Sequence, residues 1–171
     1  MSALSLVVDR RDCHGCLACE IACKQEHDLP VGPRWLRVKT LPPQVVDGRL
    51  RQLYSVAGCI HCAEPPCLPV CPTGAISKRP DGIVLINEDK CTGCGECSRA
   101  CPLHVIDFDD ETGVAGKCDL CVSRLDRGLK PACVSACPAR CIYYGEISQI
   151  AEHAGAPELI ARHRDPGRAH G

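Results

Sequence analysis

The chain has 171 residues, a net charge of −1 at neutral pH and 17 cysteines. A near-neutral chain lacks the basic excess expected of a nucleic-acid-binding protein, and so many cysteines are typical of disulfide scaffolds and metal proteins. With only five aromatic side chains (one Phe, one Trp, three Tyr) it can bury little large apolar surface, so we expect bound metal to contribute to its folding free energy.

The N-terminal segment predicts a cytoplasmic location. It contains neither the apolar segment nor the cleavage site of a secretory signal peptide. Arg10 and Arg11 are adjacent, but no apolar run follows them, so we do not read them as a twin-arginine export signal. No stretch of about 18 apolar residues occurs, which predicts that the chain makes no direct membrane span. In a reducing compartment the cysteines would be thiolates rather than disulfides.

The first third of the chain contains one cysteine group and one cysteine-free insert. A β-rich run at 4–8 predicts a strand, and the four-residue spacing of Cys19 and Cys23 places both on one face of a short helix. In the insert, residues 30–58, two β-leaning runs flank the sequence PPQVVDG, so we expect a hairpin or long loop that covers one face. Trp35, the only tryptophan, is expected to be a packing or interface anchor.

The other three cysteine groups alternate with short predicted hairpins. Runs at 75–78 and 83–86 flank an Asp-Gly turn, and runs at 105–108 and 114–117 repeat the pattern. A closing strand is predicted at 142–145, followed by a C-terminal tail, 148–171, with weak helical periodicity. The four groups are Cys13-Cys16-Cys19-Cys23, Cys59-Cys62-Cys67-Cys71, Cys91-Cys94-Cys97-Cys101 and Cys118-Cys121-Cys133-Cys137.

Two internal alignments indicate a duplicated chain. Residues 6–23 align without a gap on residues 84–101, and residues 66–76 align without a gap on residues 132–142. Groups one and three are therefore of one type, and groups two and four of the other. The seventeenth cysteine, Cys141, is outside the groups, and we expect it to be a small buried side chain rather than a ligand.

The spacing within the groups predicts iron–sulfur clusters. Group three is C-x2-C-x2-C-x3-C followed by Pro102, the run with which ferredoxins hold a 4Fe–4S cluster. In such runs three cysteines bind one cluster and the fourth binds another, and Gly15 and Gly93 allow close backbone approach. Zinc would leave the cysteine triplets unexplained, except in the looser fourth group, and disulfides require an oxidising compartment. Four 4Fe–4S clusters are therefore expected.

The linker between groups two and three resembles that of a small bacterial ferredoxin, which favours pairing these groups and leaves groups one and four as the second pair. The spacing also allows a tandem pairing of group one with two and of three with four. The favoured pairing predicts four ligand sets, each numbered after the group that supplies three of its cysteines. These are the first set Cys13, Cys16, Cys19 and Cys137, the second set Cys59, Cys62, Cys67 and Cys101, the third set Cys91, Cys94, Cys97 and Cys71, and the fourth set Cys118, Cys121, Cys133 and Cys23.

Over residues 1–147 the chain resembles the four-cluster ferredoxin-like electron-transfer subunits of the dimethyl sulfoxide reductase superfamily and related molybdenum or tungsten enzymes. The motifs CPTGAI at Cys71 and CPAR at Cys137 carry the resemblance, and Lys24 departs from it, because a proline commonly follows the last cysteine of a group. The resemblance implies the favoured pairing and four clusters in a line. The size and leaderless start are similar to those of the small iron–sulfur subunit of tungsten aldehyde oxidoreductases.

The fold class predicted is α+β, a duplicated bacterial-ferredoxin-like fold of two double-cluster modules with short β-hairpins and short helices. The inner module is 59–108, and the outer module is 1–29 with 114–147. The insert, 30–58, separates groups one and two. We expect the clusters of the inner module to be relays and partners to dock on the outer module, at groups one and four.

The function predicted is that of a non-catalytic electron-transfer subunit, because no base, nucleophile or nucleotide-binding glycine loop is present. It would relay single electrons between a molybdenum- or tungsten-pterin catalytic subunit and a second redox subunit, a flavoprotein or another iron–sulfur protein. Self-association into longer wires is a further predicted partner interaction. Two alternatives are an accessory or maturation iron–sulfur protein for a hydrogenase or formate enzyme, and a free polyferredoxin shuttle.

Overall fold

The computed structural model describes residues 4–147, 149 and 150, and in this part of the chain all regular elements are short. The helices are α1 (Ala18–Glu26), α2 (Glu96–Ala100), α3 (Val122–Leu125) and α4 (Ala132–Ala136). The strands are β1 (Leu4–Val8), β2 (Leu36–Thr40), β3 (Gln44–Val46), β4 (Arg49–Arg51), β5 (Tyr54–Gly58), β6 (Ile76–Lys78), β7 (Val84–Ile86), β8 (Asp107–Phe108), β9 (Ala115–Gly116) and β10 (Ile142–Glu146). The predicted α+β class is confirmed, and the duplication stays a prediction.

The sheet of β1 and β10 brings the two ends of the cysteine-bearing chain together. Its strands are antiparallel, with Leu4 opposite Glu146 and Val8 opposite Ile142. The predicted strand at 4–8 is confirmed, and the closing strand is one residue longer than the predicted 142–145. Helix α1 packs against α4, so groups one and four become neighbours although more than 90 residues separate them. Residues 151–171, most of the predicted tail, lie outside the described residues.

The insert forms a two-tier hairpin in which β2 pairs with β5 and β3 pairs with β4. The turn at Asp47 and Gly48 has positive φ at both residues, 51° and 72°, as a two-residue hairpin turn requires. Within PPQVVDG the last residues before this turn form β3, so this sequence is not turn throughout, because its valines pair with β4.

The base of the insert joins α1 to β8. The Arg34 N–H donates to Asp107 Oδ2 over 2.8 Å, and the Arg37 guanidinium is paired with the same carboxylate. On the other side, Arg34 Nη1 is 3.1 Å from Glu20 Oε1, and the Val38 N–H donates to Glu20 Oε2 over 2.9 Å. The insert therefore does more than cover one face, because it fixes the position of group one relative to the hairpin that follows group three.

The two predicted hairpins of the inner module differ in how closely they match the prediction. Strands β6 and β7 follow it to within one residue, whereas β8 and β9 have only two residues each. The second hairpin is shorter because Ile106 lies outside the strand pairing: it is buried, and its carbonyl oxygen accepts the Ser98 hydroxyl over 3.3 Å. At its tip, the Asp109 carboxylate accepts the N–H groups of Glu111 and Thr112 and closes the turn.

Cysteines form a large part of two separate apolar cores. One core contains residues of the predicted outer module and of the insert, and the other contains residues of the predicted inner module together with Ala115 of the predicted outer module. The module boundaries themselves stay a prediction. The buried members are Cys19, Cys23, Leu36, Cys133, Cys141 and Ile142 in the first core, and Cys67, Ile76, Val84, Cys97, Ile106 and Ala115 in the second.

Helix α1 continues past Cys23, whereas α2 and α4 end one residue before Cys101 and Cys137. Prolines follow these two cysteines, and a residue before proline is disfavoured in the helical region; their ψ angles are 112° and 110°. Lys24 imposes no such limit at Cys23. Its Nζ donates to the carbonyl oxygens of Pro30 (2.6 Å) and Pro33 (2.9 Å), which anchors the start of the insert.

A proline at this position should break α1. We expect Lys24→Pro to destabilise the holoprotein by about 3 kcal/mol or more, because a proline inside a helix removes one backbone hydrogen bond and clashes with the preceding turn. Lys24→Ala, the control, should cost only about 1–2 kcal/mol for its side-chain hydrogen bonds. Anaerobic thermal unfolding followed by circular dichroism measures both. Equal midpoints for the two variants would contradict this account of α1.

Candidate metal centres

Two cavities between groups two and three are each lined by four cysteines. One contains Cys71, Cys91, Cys94 and Cys97, and the other contains Cys59, Cys62, Cys67 and Cys101. In each cavity three cysteines come from one group and the fourth comes from the other. The structure therefore brings groups two and three together as the third and second sets, and it does not bring group two to group one as the tandem pairing would require.

The first set lies at the contact of α1 and α4. Burial raises the pKa of Cys19 to about 11, and the nearby thiols of Cys13 and Cys137 add to this effect. Cys141 is 2 % exposed, and its Sγ is 3.6 Å from Cys137 Sγ. Burial raises its pKa to about 12. It is the small buried side chain expected from the sequence, packed against a member of the first set.

The fourth set is buried throughout. Its members Cys23, Cys118, Cys121 and Cys133 are all buried, whereas each other set has only one buried cysteine. Burial raises the pKa of Cys133 to about 12, with the thiol of Cys121 as the next contribution. Burial also raises the pKa of Cys23, followed by the thiols of Cys121 and Cys133. The thiols of Cys133 and Cys23 also contribute to the raised pKa of Cys118, so the four thiols are close enough to influence one another.

The chemistry of these donors fits iron–sulfur clusters. All seventeen cysteines are free, which removes the disulfide alternative. Several thiols held together in apolar surroundings ionise with difficulty on their own, and a bound metal centre stabilises their thiolate form. Soft thiolates select iron–sulfur clusters, zinc or Cu(I) among metals. Four cysteines per set match the ligand number of a 4Fe–4S cluster.

The four sets follow one another in a line. The first and fourth sets are adjacent, because the thiol of Cys19 contributes to the raised pKa of Cys133 after burial and Cys121. The fourth and second sets are adjacent, because the thiol of Cys59 makes the largest contribution after burial to the raised pKa of Cys118. The second and third sets exchange their fourth cysteines. The order is therefore first, fourth, second, third.

This order bears on the expectation that partners dock at groups one and four, which stays a prediction. Group four supplies a wholly buried set in the interior of the line. The two cysteines classed as exposed are Cys16 of the first set and Cys94 of the third. The ends of the line are thus the first set and the third set. Chain order alone does not show that Cys118 lies near Cys59, and where partners dock stays a prediction.

All four C-x2-C loops share one backbone feature. The residue before the second cysteine has a positive φ: 65° at Gly15, 51° at His61, 68° at Gly93 and 59° at Leu120. This conformation turns consecutive N–H groups towards a common centre, which suits a negatively charged ligand. Sequence reasoning identified the glycines but missed His61 and Leu120. Their side chains are 0 % and 1 % exposed, so tight packing compensates for the strain.

Two further polar residues beside the fourth set were also missed. His27 Nε2 is 3.3 Å from Asp119 Oδ1 and 3.5 Å from Cys121 Sγ, and its ring lies 4.6 Å from that of Trp35. The Asp119 carboxylate also accepts the Cys121 N–H over 2.7 Å. Trp35 is the packing anchor expected from the sequence. The tilted contact with Trp35 holds the His27 ring beside the Cys121 thiol, although 94 residues separate the two.

Comparisons with known proteins agree with this geometry. The 4Fe–4S dicluster domain family matches residues 50–147. The B component of the anaerobic dimethyl sulfoxide reductase of Haemophilus influenzae is 38% identical over 169 residues, covering 94% of this chain and 82% of that protein. The protein thus belongs to the iron–sulfur subunits of the dimethyl sulfoxide reductase superfamily. Two other similar members are the thiosulfate reductase electron transfer subunit PhsB of Salmonella typhi and the B component of the sulfite dehydrogenase of Allochromatium vinosum.

Coverage of these two members is also extensive. The Salmonella protein is 39% identical over 155 residues, covering 88% of this chain and 81% of that protein. The Allochromatium protein is 38% identical over 169 residues, covering 86% of this chain and 70% of that protein. As a member of this iron–sulfur subunit family, the chain is a non-catalytic electron-transfer subunit with 4Fe–4S clusters as cofactors, and both predictions are confirmed. The 4Fe–4S match includes group four, so the zinc alternative for that group is not supported.

Helix length bears on the predicted absence of a membrane span. Among the described residues, the longest helix is α1 with nine residues, and no helix there is long and apolar enough to cross a bilayer.

Proposed function

We propose that this chain, in the cytoplasm, relays single electrons through four 4Fe–4S clusters between a molybdenum- or tungsten-pterin catalytic subunit and a second redox subunit. The observation that carries the proposal is the line of four cysteine sets, with a buried interior and with Cys16 and Cys94 exposed at its ends. A bound 4Fe–4S cluster supplies reversible one-electron storage. An exposed ligand at each end lets a partner approach within a short distance of the first or last cluster.

The residues of each set would act as cluster ligands, in the four sets predicted from the sequence. The exchange of fourth cysteines supports this assignment, because it holds neighbouring sets at a fixed separation. Cys101 and Cys71 cross between the second and third sets, and Cys137 and Cys23 cross between the first and fourth. Apolar side chains such as Val84 and Ile106, which are 1 % and 4 % exposed, keep water from the interior of the line.

The duplication and the two modules are part of the same proposal. The repeat-related residues Gly15 and Gly93 have nearly the same φ, 65° and 68°, and the repeat-related pair His61 and Leu120 has 51° and 59°. Such agreement between aligned positions is expected when one ferredoxin unit has been copied. We propose an inner module at 59–108 and an outer module at 1–29 with 114–147, within a domain that ends at 147.

Partner identity is tested by purification. The relatives are named for dimethyl sulfoxide, thiosulfate and sulfite enzymes, so we propose a pterin enzyme as the catalytic partner, with a tungsten aldehyde oxidoreductase as the narrower candidate. An electron-transfer subunit should co-purify with a large subunit that contains molybdenum or tungsten. Absence from the mature complex would instead favour a maturation protein, and a monomer without any stable partner would favour a free shuttle. Light scattering on the purified complex reveals whether copies of the chain self-associate into longer wires.

Metal content tests the cofactor assignment. We expect the anaerobically purified chain to contain about 16 irons and about 16 acid-labile sulfides, four of each per cluster. Colorimetric iron and sulfide assays, scaled to protein from amino-acid analysis, make the measurement. A result near eight irons, or one zinc per chain, would contradict the proposal of four clusters.

A further inference from the structure

Lys117 is a buried lysine at the centre of the line of cysteine sets. It follows β9 and precedes Cys118, and it is 4 % exposed. Its Nζ donates to the backbone carbonyl oxygens of Val84 and Cys118, the latter over 3.2 Å. Among residues 4–147, 149 and 150, it is the only lysine or arginine that is buried.

The charge of Lys117 has no carboxylate to balance it. The other buried charged side chains are carboxylates with arginine partners: Asp9 is 2.6 Å from Arg11, and Glu20 is 3.1 Å from Arg34. The ion pairs found in the described part of the chain include none for Lys117, whose acceptors are neutral carbonyl groups. Burial of an ammonium without a counter-charge is strongly unfavourable. A negative charge nearby in the functional state of the protein would offset this cost.

The structure shows where that negative charge would be. Lys117 lines the cavity of the second set together with Cys59, Cys62, Cys67 and Cys101. Burial raises the pKa of Cys67 to about 12, the Cys59 thiol acts in the same direction, and the Lys117 ammonium opposes both. Through its contact with the Cys118 carbonyl, the same ammonium also lies at the junction with the fourth set.

We propose that Lys117 is the counter-ion of the second set and raises the reduction potential of the cluster bound there above the value it would have without this charge. The inference rests on the proposed ligand sets. A 4Fe–4S cluster gains one negative charge when it is reduced, and net charge, burial and hydrogen bonds set its potential. A fixed positive charge in apolar surroundings stabilises the more negative form, because low dielectric leaves the attraction little screened.

The position of Lys117 in the line gives this effect a role in electron flow. The second set is third in the order first, fourth, second, third, so its cluster receives electrons from one half of the line and passes them to the other. An interior site that favours the reduced state retains one electron between the two ends. Delivery at one end and withdrawal at the other can then occur at different times, which suits a catalytic partner that exchanges electrons in pairs.

Lys90 provides a matched control. It precedes Cys91 at the start of group three, as Lys117 precedes Cys118 at the start of group four, but its side chain is exposed. Solvent screens a charge at that position, so its removal should affect no cluster strongly. The sequence gives no means of distinguishing these two lysines, and only burial separates them.

The test is a redox titration of the holoprotein followed by electron paramagnetic resonance, on wild type, Lys117→Gln, Lys117→Arg and Lys90→Gln. In Lys117→Gln we expect the equilibrium constant for reduction of one cluster to fall at least tenfold, equivalent to a decrease of about 59 mV for a one-electron couple. Glutamine retains a donor for the carbonyl groups and removes the charge. The other three clusters should change much less, and Lys90→Gln and Lys117→Arg should resemble wild type.

The other possible results of the titration and of an iron assay each support or contradict the proposal. An unchanged potential in Lys117→Gln, or an equal shift of all four clusters, would overturn the proposal. If Lys117→Gln loses iron while Lys117→Arg retains it, the charge is required to hold the cluster and the proposal is supported. If both variants lose iron, the shape of lysine rather than its charge matters and the proposal is wrong. Wild-type iron content, measured in parallel, reports separately on the four-cluster proposal.

Discussion

Cys133→Ala is expected to lose one cluster and to interrupt electron transfer between the two ends of the chain. Cys133 is 5 % exposed and belongs to the fourth set, which occupies the interior of the line. Without this ligand the iron content should fall from about 16 to about 12 per chain, since each cluster contains four irons. Electrons would then have to cross the gap between the first and second sets directly, and we expect the rate to fall by orders of magnitude.

The natural control is Cys141→Ala. Cys141 is 2 % exposed and belongs to the same apolar core as Cys133, so both substitutions remove one buried sulfur from similar surroundings. Because Cys141 is outside the proposed sets, its variant should retain about 16 irons, four for each cluster.

Two rates measured on the holocomplex complete this experiment. Turnover with a dye that exchanges electrons directly with the catalytic subunit should be unaffected in both variants. Turnover that must pass through the line should be lost only in Cys133→Ala. Equal iron loss in the two variants, or unchanged iron in Cys133→Ala, would refute the assignment of the fourth set.

Gly93→Ala is expected to have the second large effect, a loss of stability centred on the third set. A Cβ at Gly93 would lie 2.5 Å from the carbonyl oxygen of Gly113, a backbone atom that cannot easily move. The φ of Gly93 is 68°, a conformation that costs an alanine about 1–2 kcal/mol. Overpacking adds about 1–3 kcal/mol, so we expect about 2–5 kcal/mol in total.

Gly113→Ala separates the two contributions. Its φ is 70°, almost that of Gly93, but no atom lies within 4 Å of the position its Cβ would take. Its free energy of unfolding should therefore fall only by the cost of placing alanine at a positive φ, about 1–2 kcal/mol.

Thermal unfolding of the anaerobic holoprotein compares these two glycine variants, with each 1 kcal/mol lowering the midpoint by about 2–4 °C in a chain of this size. Gly93→Ala should also release iron from the third set before the other sets. Equal midpoints for the two variants would show that the contact between the group-three loop and Gly113 does not form.

Local sequence patterns predicted most of the individual elements because their causes are local. The β-rich run LSLVV specifies β1, and the four-residue spacing of Cys19 and Cys23 specifies one face of α1. The Asp-Gly turn specifies the hairpin of β6 and β7. The second hairpin was overestimated because the Ile106 carbonyl contacts the Ser98 hydroxyl instead of a strand partner, and this contact depends on the tertiary fold.

The candidate site shows the same division between local and distant causes. Gly15 and Gly93 are recognisable in the sequence because glycine readily adopts a positive φ. His61 and Leu120 adopt the same conformation in the equivalent loop position, but nothing in their residue type indicates it. Tight packing of their side chains compensates for the strain, and packing is a property of the assembled fold.

By itself, the sequence determined the cofactor class, the four cysteine groups and the internal repeat, because thiolate spacing within a short loop is a local property. Only the tertiary structure decided the order of the sets, the exposed ends at Cys16 and Cys94, and the burial of Lys117 beside the second set. These features depend on which distant loops meet. The pairing of β1 with β10 and the contact of α1 with α4 bring group four into the interior, where it separates the first set from the second.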